Sequence, residues 1–312
     1  MLRTSGDVSS TTLPVNALPA AASTGLRARL SAYLELTKPG IVRMVLVTAG
    51  AGFFMGSNGF LRPVAMLWML LGTGLAAAGA CGLNEYLERH QDARMRRTAS
   101  RPLPAGLLGP REALGFASTL AVLGVAVLAW QANLLTAALV AGTVISYLFA
   151  YTPLKRVHWT ATLVGAVPGA LPILAGWTAA GGTFGARGLA LFAILFFWQM
   201  PHFFALAWMY RDDYRRGGFH MLTEHDRSGT RTARQIVVWA LALVAVSTLP
   251  TVSGLTGQAY AVAALLLGLA FLAPALALLR RPSDAGALRV FLASVIYLPV
   301  LLLVMVFERL LA

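Results

Sequence analysis

The feature that most constrains this chain is a series of long apolar runs without a charged side chain, such as Met66–Gly82 and Leu189–Tyr210. An α-helix needs about 20 apolar residues to cross the hydrocarbon core of a bilayer, and both runs are close to that length. The chain is 58% hydrophobic and 12% charged, whereas a soluble domain carries roughly 25% charged residues. We therefore predict a bundle of membrane-spanning helices.

A window of about 19 residues separates the apolar runs into about nine candidate spans. They lie near residues 41–57, 63–83, 112–130, 134–151, 160–180, 188–210, 236–253, 258–279 and 288–307. The predicted fold class is all-α, a polytopic membrane protein with about nine transmembrane helices. Residues 1–28, which are rich in Ser, Thr, Pro and Ala, are interpreted as a disordered cytoplasmic tail. Residues 29–312 form the predicted transmembrane domain.

Positive charges are distributed unevenly among the loops between these spans. Every second loop is rich in Arg and Lys, whereas the intervening loops hold little beyond Arg62 and Arg187. Cytoplasmic loops carry such an excess, so the charged loops are predicted to face the cytoplasm. The net charge of +13 is then explained by contact with anionic membrane lipid, and no nucleic-acid partner is expected. The single cysteine, Cys81, excludes an intramolecular disulfide.

The loop after the second span begins with Asn84, Glu88 and Asp92, which are spaced four apart. If the second helix continues beyond the membrane surface, one amide and two carboxylates line one of its faces. Acidic groups at this spacing also occur on ordinary solvated helix faces, so the spacing alone leaves that alternative open. Neighbouring arginines favour a binding site, because guanidinium groups bind anions. They are Arg94, Arg96, Arg97 and Arg101.

The loop after the sixth span contains a second acidic pair, Asp212 and Asp213, next to Arg211. Adjacent aspartates are common on protein surfaces, and on its own the pair is weak evidence. The predicted topology places both loops on one side of the membrane, where their oxygen atoms could bind Mg²⁺ from two sides of a cleft. A diphosphate would complete the oxygen shell, with arginines and Lys155 neutralising the remaining charge.

At these residues the sequence resembles the UbiA-type membrane prenyltransferases and, within them, the branch that modifies heme. The first family motif is matched by Asn84, Asp92, Met95, Arg97, Thr98, Arg101 and Pro102. Glu88 stands where the family generally has aspartate. Three further segments favour the heme-modifying branch, namely 36–39 (LTKP), 151–156 (YTPLKR) and 198–203 (WQMPHF) leading into 210–214 (YRDDY). Residues 157–162 lack the asparagine that the family pattern leads us to expect.

The resemblance implies nine helices around a central cavity in the cell inner membrane, with both acidic motifs at its cytoplasmic end. It implies farnesyl diphosphate and heme B as substrates, Mg²⁺ as cofactor, and farnesyl transfer to a heme vinyl group with addition of water. The implied catalytic and metal-binding residues are Asn84, Glu88, Asp92, Asp212 and Asp213. The implied diphosphate-binding residues are Arg97, Arg101, Lys155 and Arg211. The product would pass to heme A synthase or a terminal oxidase through a transient contact.

His202 is the histidine that best suits a contact with heme, since it lies inside an apolar span where a polar group needs a partner. A hydrogen bond to a neighbouring helix would satisfy it equally well. Three other functions remain open: a prenyltransferase with another aromatic acceptor, such as a quinone precursor or chlorophyllide; a transporter; and a structural subunit of an oxidase. The transporter is disfavoured because the predicted spans carry almost no carboxylates.

Overall fold

The computed structural model describes residues 25–57 and 62–311, and every regular element in these two ranges is helical. The helices in chain order are α1 (Leu26–Leu36), α2 (Pro39–Gly56), α3 (Pro63–Asp92), α4 (Pro110–Gln131), α5 (Leu134–Ile145), α6 (Thr152–Leu154), α7 (Ala161–Ala179), α8 (Ala186–Met209), α9 (Arg211–Gly217), α10 (Thr230–Val246), α11 (Leu249–Val252), α12 (Gln258–Arg280) and α13 (Asp284–Leu311). A π-helix, Ser146–Tyr151, joins α5 to α6, and a 3-10 helix, Leu222–His225, follows α9.

Nine helical segments of the described chain are long and apolar enough to cross a membrane, as the hydropathy pattern predicts. Two of them are composite, because the fourth runs from α5 through the π-helix to α6, and the seventh combines α10 with α11. The second span, α3, extends to Asp92, well beyond its predicted end at residue 83. The protein is therefore a multi-pass, all-α membrane protein, and the predicted fold class is confirmed.

Small residues bring α3 and α4 into close contact. A Cβ atom at Gly79 would lie 2.4 Å from the backbone nitrogen of Ala121, and one at Gly124 would lie 2.4 Å from the backbone nitrogen of Ala76. Neither position accepts a side chain unless the helices separate. Lipid supplies no hydrophobic driving force between helices, so close packing of this kind is what stabilises their association.

The most buried of the spans is α7, which packs against α2, α5 and α8. Pro168 and Pro172 lie inside α7, and Pro201 lies inside α8. A proline removes one helical N–H and clashes with the preceding turn, so helices kink where it occurs. Pro168 and Pro172 line the cavity that the bundle encloses, so the two positions where a kink is expected in α7 lie at its wall.

The start of the described chain differs from the sequence-based interpretation. The predicted tail over residues 1–28 lies mostly outside the described residues, and its last positions belong to α1, which begins at Leu26. Between α1 and α2, Lys38 has a φ of 51°, which no other non-glycine residue in the described ranges matches in sign. This left-handed conformation costs an L-residue roughly 1–2 kcal/mol. Other contacts must therefore hold Lys38 in place.

Candidate active site

A cavity of about 520 Å³ is lined by α2, α3, α5, the π-helix, α7, α8 and α13. Its lining is mainly aliphatic and aromatic. The polar side chains in its lining include Thr48, Thr73, Thr143, Tyr147, Tyr151, Gln199 and His202. Within the described ranges no carboxylate lines it. An apolar space with few polar groups suits a hydrocarbon chain or a flat aromatic ligand.

The three residues spaced four apart on α3 are buried. Asn84 and Glu88 are each 3% exposed, and Asp92 is 1% exposed. All three lie on the continuous helix α3, so the predicted common face exists. Burial rules out the ordinary solvated face, because carboxylates leave water only when they are paired or hydrogen-bonded.

Glu88 and Asp92 are both paired with cations from other segments. Lys155 Nζ lies 2.5 Å from Glu88 Oε1, although the two groups are not aligned as a hydrogen bond. Arg101 donates a hydrogen bond to Asp92 Oδ2 at 2.8 Å. Lys155 is also 4.7 Å from the ring centre of Tyr151, which lines the cavity. The charged cluster therefore adjoins one end of the apolar cavity.

Asn84 is the centre of a hydrogen-bond chain. Lys38 Nζ donates to Asn84 Oδ1 at 3.2 Å, Asn84 Nδ2 donates to Thr152 Oγ1 at 3.1 Å, and Thr152 Oγ1 donates to the carbonyl of Tyr147 at 2.8 Å. Lys38, with its left-handed backbone, thus contacts Asn84, which is a candidate metal ligand. Burial lowers the pKa of Lys38, and the positive charge of Arg101 lowers it further.

In the second loop, Asp213 joins α9 to the loop after α3. Its carboxylate accepts hydrogen bonds from the backbone N–H groups of Arg96 and Arg97, both at 3.2 Å, and from the Arg216 side chain. Burial alone would raise the pKa of Asp213, but the hydrogen bonds from Arg216 and from the two backbone groups outweigh it and lower the pKa. The two loops are therefore in contact, and Asp213 holds the backbone of Arg96 and Arg97.

The neighbours of Asp213 have other partners. The Asp212 side chain is 65% exposed and lies 3.5 Å from Arg215. Arg211 forms a two-pronged pair with Asp284 at the start of α13, at 2.8 and 3.2 Å, and Trp208 Nε1 donates to the same carboxylate at 2.8 Å. Arg211 is thus bound to α13 and not to the α3 carboxylates.

The α3 carboxylates have the donor chemistry for a divalent cation that prefers oxygen. Asp92 Oδ1 and the neighbouring Glu85 Oε2 are buried without a hydrogen-bond partner. A buried polar atom without a partner costs about 1–3 kcal/mol, which a bound cation would recover. In the described residues no three His, Cys, Asp or Glu side chains are close enough to hold a metal ion alone. A cation here would therefore need oxygen atoms from a ligand such as a diphosphate.

Of the two roles considered for His202 from the sequence, the structure shows the hydrogen bond to a neighbouring helix, and the contact with heme stays a prediction. Its Nδ1 lies 2.8 Å from Ser294 Oγ on α13, so the hydrogen bond to a neighbouring helix exists. Trp198 stacks on its ring at 5.1 Å between centroids, and Phe291 lies at 4.9 Å. The imidazole also lines the cavity, where a ligand can reach it.

Sequence reasoning missed three residues near this site as functional candidates. Lys38 lies within the LTKP segment and Gln199 within the WQMPHF segment, so both were marked by motifs but given no role. Glu85 is 1% exposed and accepts a hydrogen bond from the Leu103 backbone at 3.3 Å. It lies one position from the four-residue spacing, and no pattern pointed to it.

The sequence matches the UbiA prenyltransferase family over residues 45–298. A protoheme IX farnesyltransferase from Solibacter usitatus (strain Ellin6076) is 44% identical over 286 residues, which cover 89% of this chain and 98% of the relative. A protoheme IX farnesyltransferase from Salinibacter ruber (strain DSM 13855 / M31) is 47% identical over 267 residues, which cover 86% and 94%.

Solved structures show the same fold at low sequence identity. A structure of digeranylgeranylglyceryl phosphate synthase has a TM-score of 0.77 and 18% identity, and the match covers 91% of this chain and 99% of that one. A UbiA homologue from Archaeoglobus fulgidus bound to GPP and Mg²⁺ has a TM-score of 0.65 and 15% identity, and the match covers 90% and 100%.

Proposed function

The chain belongs to the UbiA prenyltransferase family, and we propose that it transfers the farnesyl group of farnesyl diphosphate to a vinyl group of protoheme IX (heme B), giving heme O and diphosphate. The observation that carries this proposal is the buried row Asn84, Glu88 and Asp92, with its paired cations, at the end of an apolar cavity. One end suits a diphosphate, and the cavity suits an isoprenoid tail. The names of the relatives favour heme as acceptor over a quinone precursor or chlorophyllide.

We infer that Mg²⁺ is the cofactor and is held by Asn84, Glu88 and Asp92, with Asp212 and Asp213 contributed by the second loop. The unpartnered Oδ1 of Asp92 supports this role, as does the structural relative that holds GPP and Mg²⁺. When bound, Mg²⁺ would neutralise diphosphate charge and stabilise the leaving group. Asp213 would act from its present place beside the α3 loop, whereas exposed Asp212 would have to leave Arg215.

The diphosphate is proposed to bind Arg97, Arg101, Lys155 and Arg211. Lys155 and Arg101 already lie at the carboxylate row, and each can donate to phosphate oxygens as the negative charge of the ligand arrives. Arg97 packs against the ring of Tyr210 at 5.0 Å, which holds its guanidinium in position. Arg211 would join only by releasing Asp284.

The apolar cavity would protect the reactive allylic group from bulk water. In the proposal His202 contacts the heme from the cavity wall.

The charged end faces the cytoplasm of the cell inner membrane, as the distribution of Arg and Lys indicates. Heme O would leave by transient contact with heme A synthase or a terminal oxidase.

The proposal is tested by expressing the full chain in cells that make only heme B, and by identifying the extracted hemes by chromatography and mass spectrometry. We expect heme O with the wild-type chain and none with Asp92→Asn, which removes a charge from the carboxylate row. Unchanged heme B together with a newly prenylated quinone precursor would assign the other acceptor instead.

A further inference from the structure

Two polar side chains on one face of α8, Gln199 and His202, reach the apolar cavity three residues apart. We propose that Gln199 orients, and His202 deprotonates, the water molecule that hydrates the farnesylated vinyl carbon of heme. This inference rests on the proposed function, because it concerns the step that converts the alkylated heme into its hydroxylated product. It assigns a role to Gln199 and a chemical role to His202 Nε2, which has no hydrogen-bond partner among the described residues.

The amide of Gln199 is oriented by its surroundings. Its Nε2 donates to the carbonyls of Leu195 at 3.0 Å and Ala166 at 3.4 Å. Both partners can only accept, so the nitrogen and oxygen positions of this amide are fixed. Oε1 lies against Gly169, where a Cβ atom would come within 1.9 Å of it. No donor from the described residues bonds to this oxygen, which leaves an acceptor at the cavity wall.

The tautomer of His202 follows from the same reasoning. The hydroxyl of Ser294 has one hydrogen, which it donates to the carbonyl of Phe291 at 2.5 Å. Towards His202, Ser294 Oγ must therefore accept, so His202 Nδ1 carries the proton. Its Nε2 then has a free lone pair. Trp198 stacks on the ring and donates its own N–H to the Ser294 carbonyl at 2.7 Å, which fixes the ring orientation.

An oriented water molecule beside a base would serve the chemistry of the proposed reaction. The C1–O bond of farnesyl diphosphate breaks with its electrons leaving on the diphosphate, and the vinyl π electrons form the new C–C bond from the terminal vinyl carbon. Positive charge is then left on the vinyl carbon attached to the porphyrin. A lone pair of water forms the C–O bond, and one water proton passes to His202 Nε2 while the other hydrogen is held by Gln199 Oε1. Without an oriented water the same cation loses a proton from carbon and gives an alkene.

The threonine hydroxyls at the cavity are poor substitutes for this pair. Thr48, Thr73 and Thr143 donate their hydroxyl hydrogens to atoms of their own helices and are too weakly basic to take a proton. His202 is the one imidazole that lines the cavity within the described ranges, and no carboxylate does so there. In this scheme the contact of His202 with heme is at the vinyl edge and not at the iron, because one lone pair cannot serve both.

The test measures the ratio of hydroxylated to dehydrated farnesyl heme formed by the purified full chain with heme B, farnesyl diphosphate and Mg²⁺. Gln199→Met keeps the side-chain length but removes the acceptor, and Gln199→Glu keeps an acceptor oxygen. We expect Gln199→Met to raise the dehydrated fraction by about tenfold or more. Gln199→Glu keeps an acceptor oxygen but loses the hydrogen bonds that Nε2 donates to Leu195 and Ala166, so its product ratio should lie between those of wild type and Gln199→Met. The ratio does not depend on the fraction of folded protein.

Gly169→Ala should act in the same way, because its Cβ would displace the Gln199 amide. The matched control is Gly142→Ala, where a Cβ meets nothing within 4 Å. A wild-type product ratio in Gln199→Met and Gly169→Ala would overturn the inference while leaving the proposed function intact. Failure of the wild-type chain to farnesylate heme would instead reject the proposed function. A shift of the heme absorption band in His202→Asn would identify an iron ligand and overturn the role of His202 as base.

Discussion

Lys155 Nζ lies 2.5 Å from Glu88 Oε1, and both side chains are buried where the segment after α6 meets α3. A buried pair of this kind is weak evidence of stability, but removal of one partner leaves an uncompensated charge and costs about 3–5 kcal/mol. The pair also places a cation on a carboxylate that is proposed to bind metal. Glu88 is therefore where the structural and the catalytic roles of the site can be separated experimentally.

Glu88→Gln should lower farnesyl transfer strongly, raise the Mg²⁺ concentration needed for half-maximal rate and lower the melting temperature, because Lys155 loses its counter-charge. Glu88→Asp keeps the charge on a shorter arm and should retain much of the activity. The measurements are transfer rates over a Mg²⁺ titration, and thermal unfolding of each variant. Near-wild-type rates in both variants would remove Glu88 from the metal site.

The two aspartates of the second loop should behave differently. Asp212→Asn and Asp213→Asn are both expected to lower transfer by orders of magnitude if both carboxylates serve the diphosphate-bound metal. Only Asp213→Asn should also lower the melting temperature, since Asp213 holds the backbone of Arg96 and Arg97 while Asp212 is exposed. Heme affinity should survive in Asp212→Asn. Retained transfer in both variants would exclude the metal role of this loop.

The contribution of Asp213 to stability should depend on pH. Its pKa is lowered below the ordinary value of 3.8, so the stabilisation is present above that value and is lost as the pH falls through the lowered pKa. We expect the difference in melting temperature between wild type and Asp213→Asn to be constant near neutral pH and to shrink below about pH 4. A difference that stayed the same at acidic pH would mean that the charge of Asp213 does not stabilise the contact.

The sequence predicted those parts of the fold that depend on local pattern. Apolar runs predicted nine spans, and the spacing of Asn84, Glu88 and Asp92 predicted a shared face, because both follow from helical geometry along one segment. The pair between Arg211 and Asp284 joins residues 73 positions apart, and no local pattern encodes it. The pair depends on how α13 packs beside α9. The sequence alone therefore could not show that Arg211 already has a partner that competes with a diphosphate.

The backbone conformation of single residues could not be predicted from the sequence either. A lysine before a proline is expected in extended conformation, yet Lys38 is left-handed. In this conformation Lys38 Nζ donates a hydrogen bond to Asn84 Oδ1, which lies 46 positions further along the chain. The LTKP segment identified the lysine as part of a motif but not as a neighbour of the carboxylate row.

Lys38→Gly should separate the backbone effect from the side-chain effect. Glycine relieves the strain of a positive φ, which offsets the lost contact, so the melting temperature should change little. Farnesyl transfer should nevertheless fall by about tenfold or more, because Asn84 loses the cation that positions it. Lys38→Arg should retain part of the activity. Full activity in Lys38→Gly would make the contact dispensable.

Membrane orientation is tested by labelling cysteines in intact cells with a thiol reagent that does not cross the membrane. The native Cys81 is buried, and replacing it by alanine gives a silent background. Cysteines at Ser100 and His220, exposed positions in the loops around Arg97 and Arg216, should react only after the cells are permeabilised. A cysteine at Thr183, in an exposed loop at the opposite end of α8, should react at once. Labelling of Ser100→Cys or His220→Cys in intact cells would reverse the topology and place the diphosphate site on the wrong side for a cytoplasmic substrate.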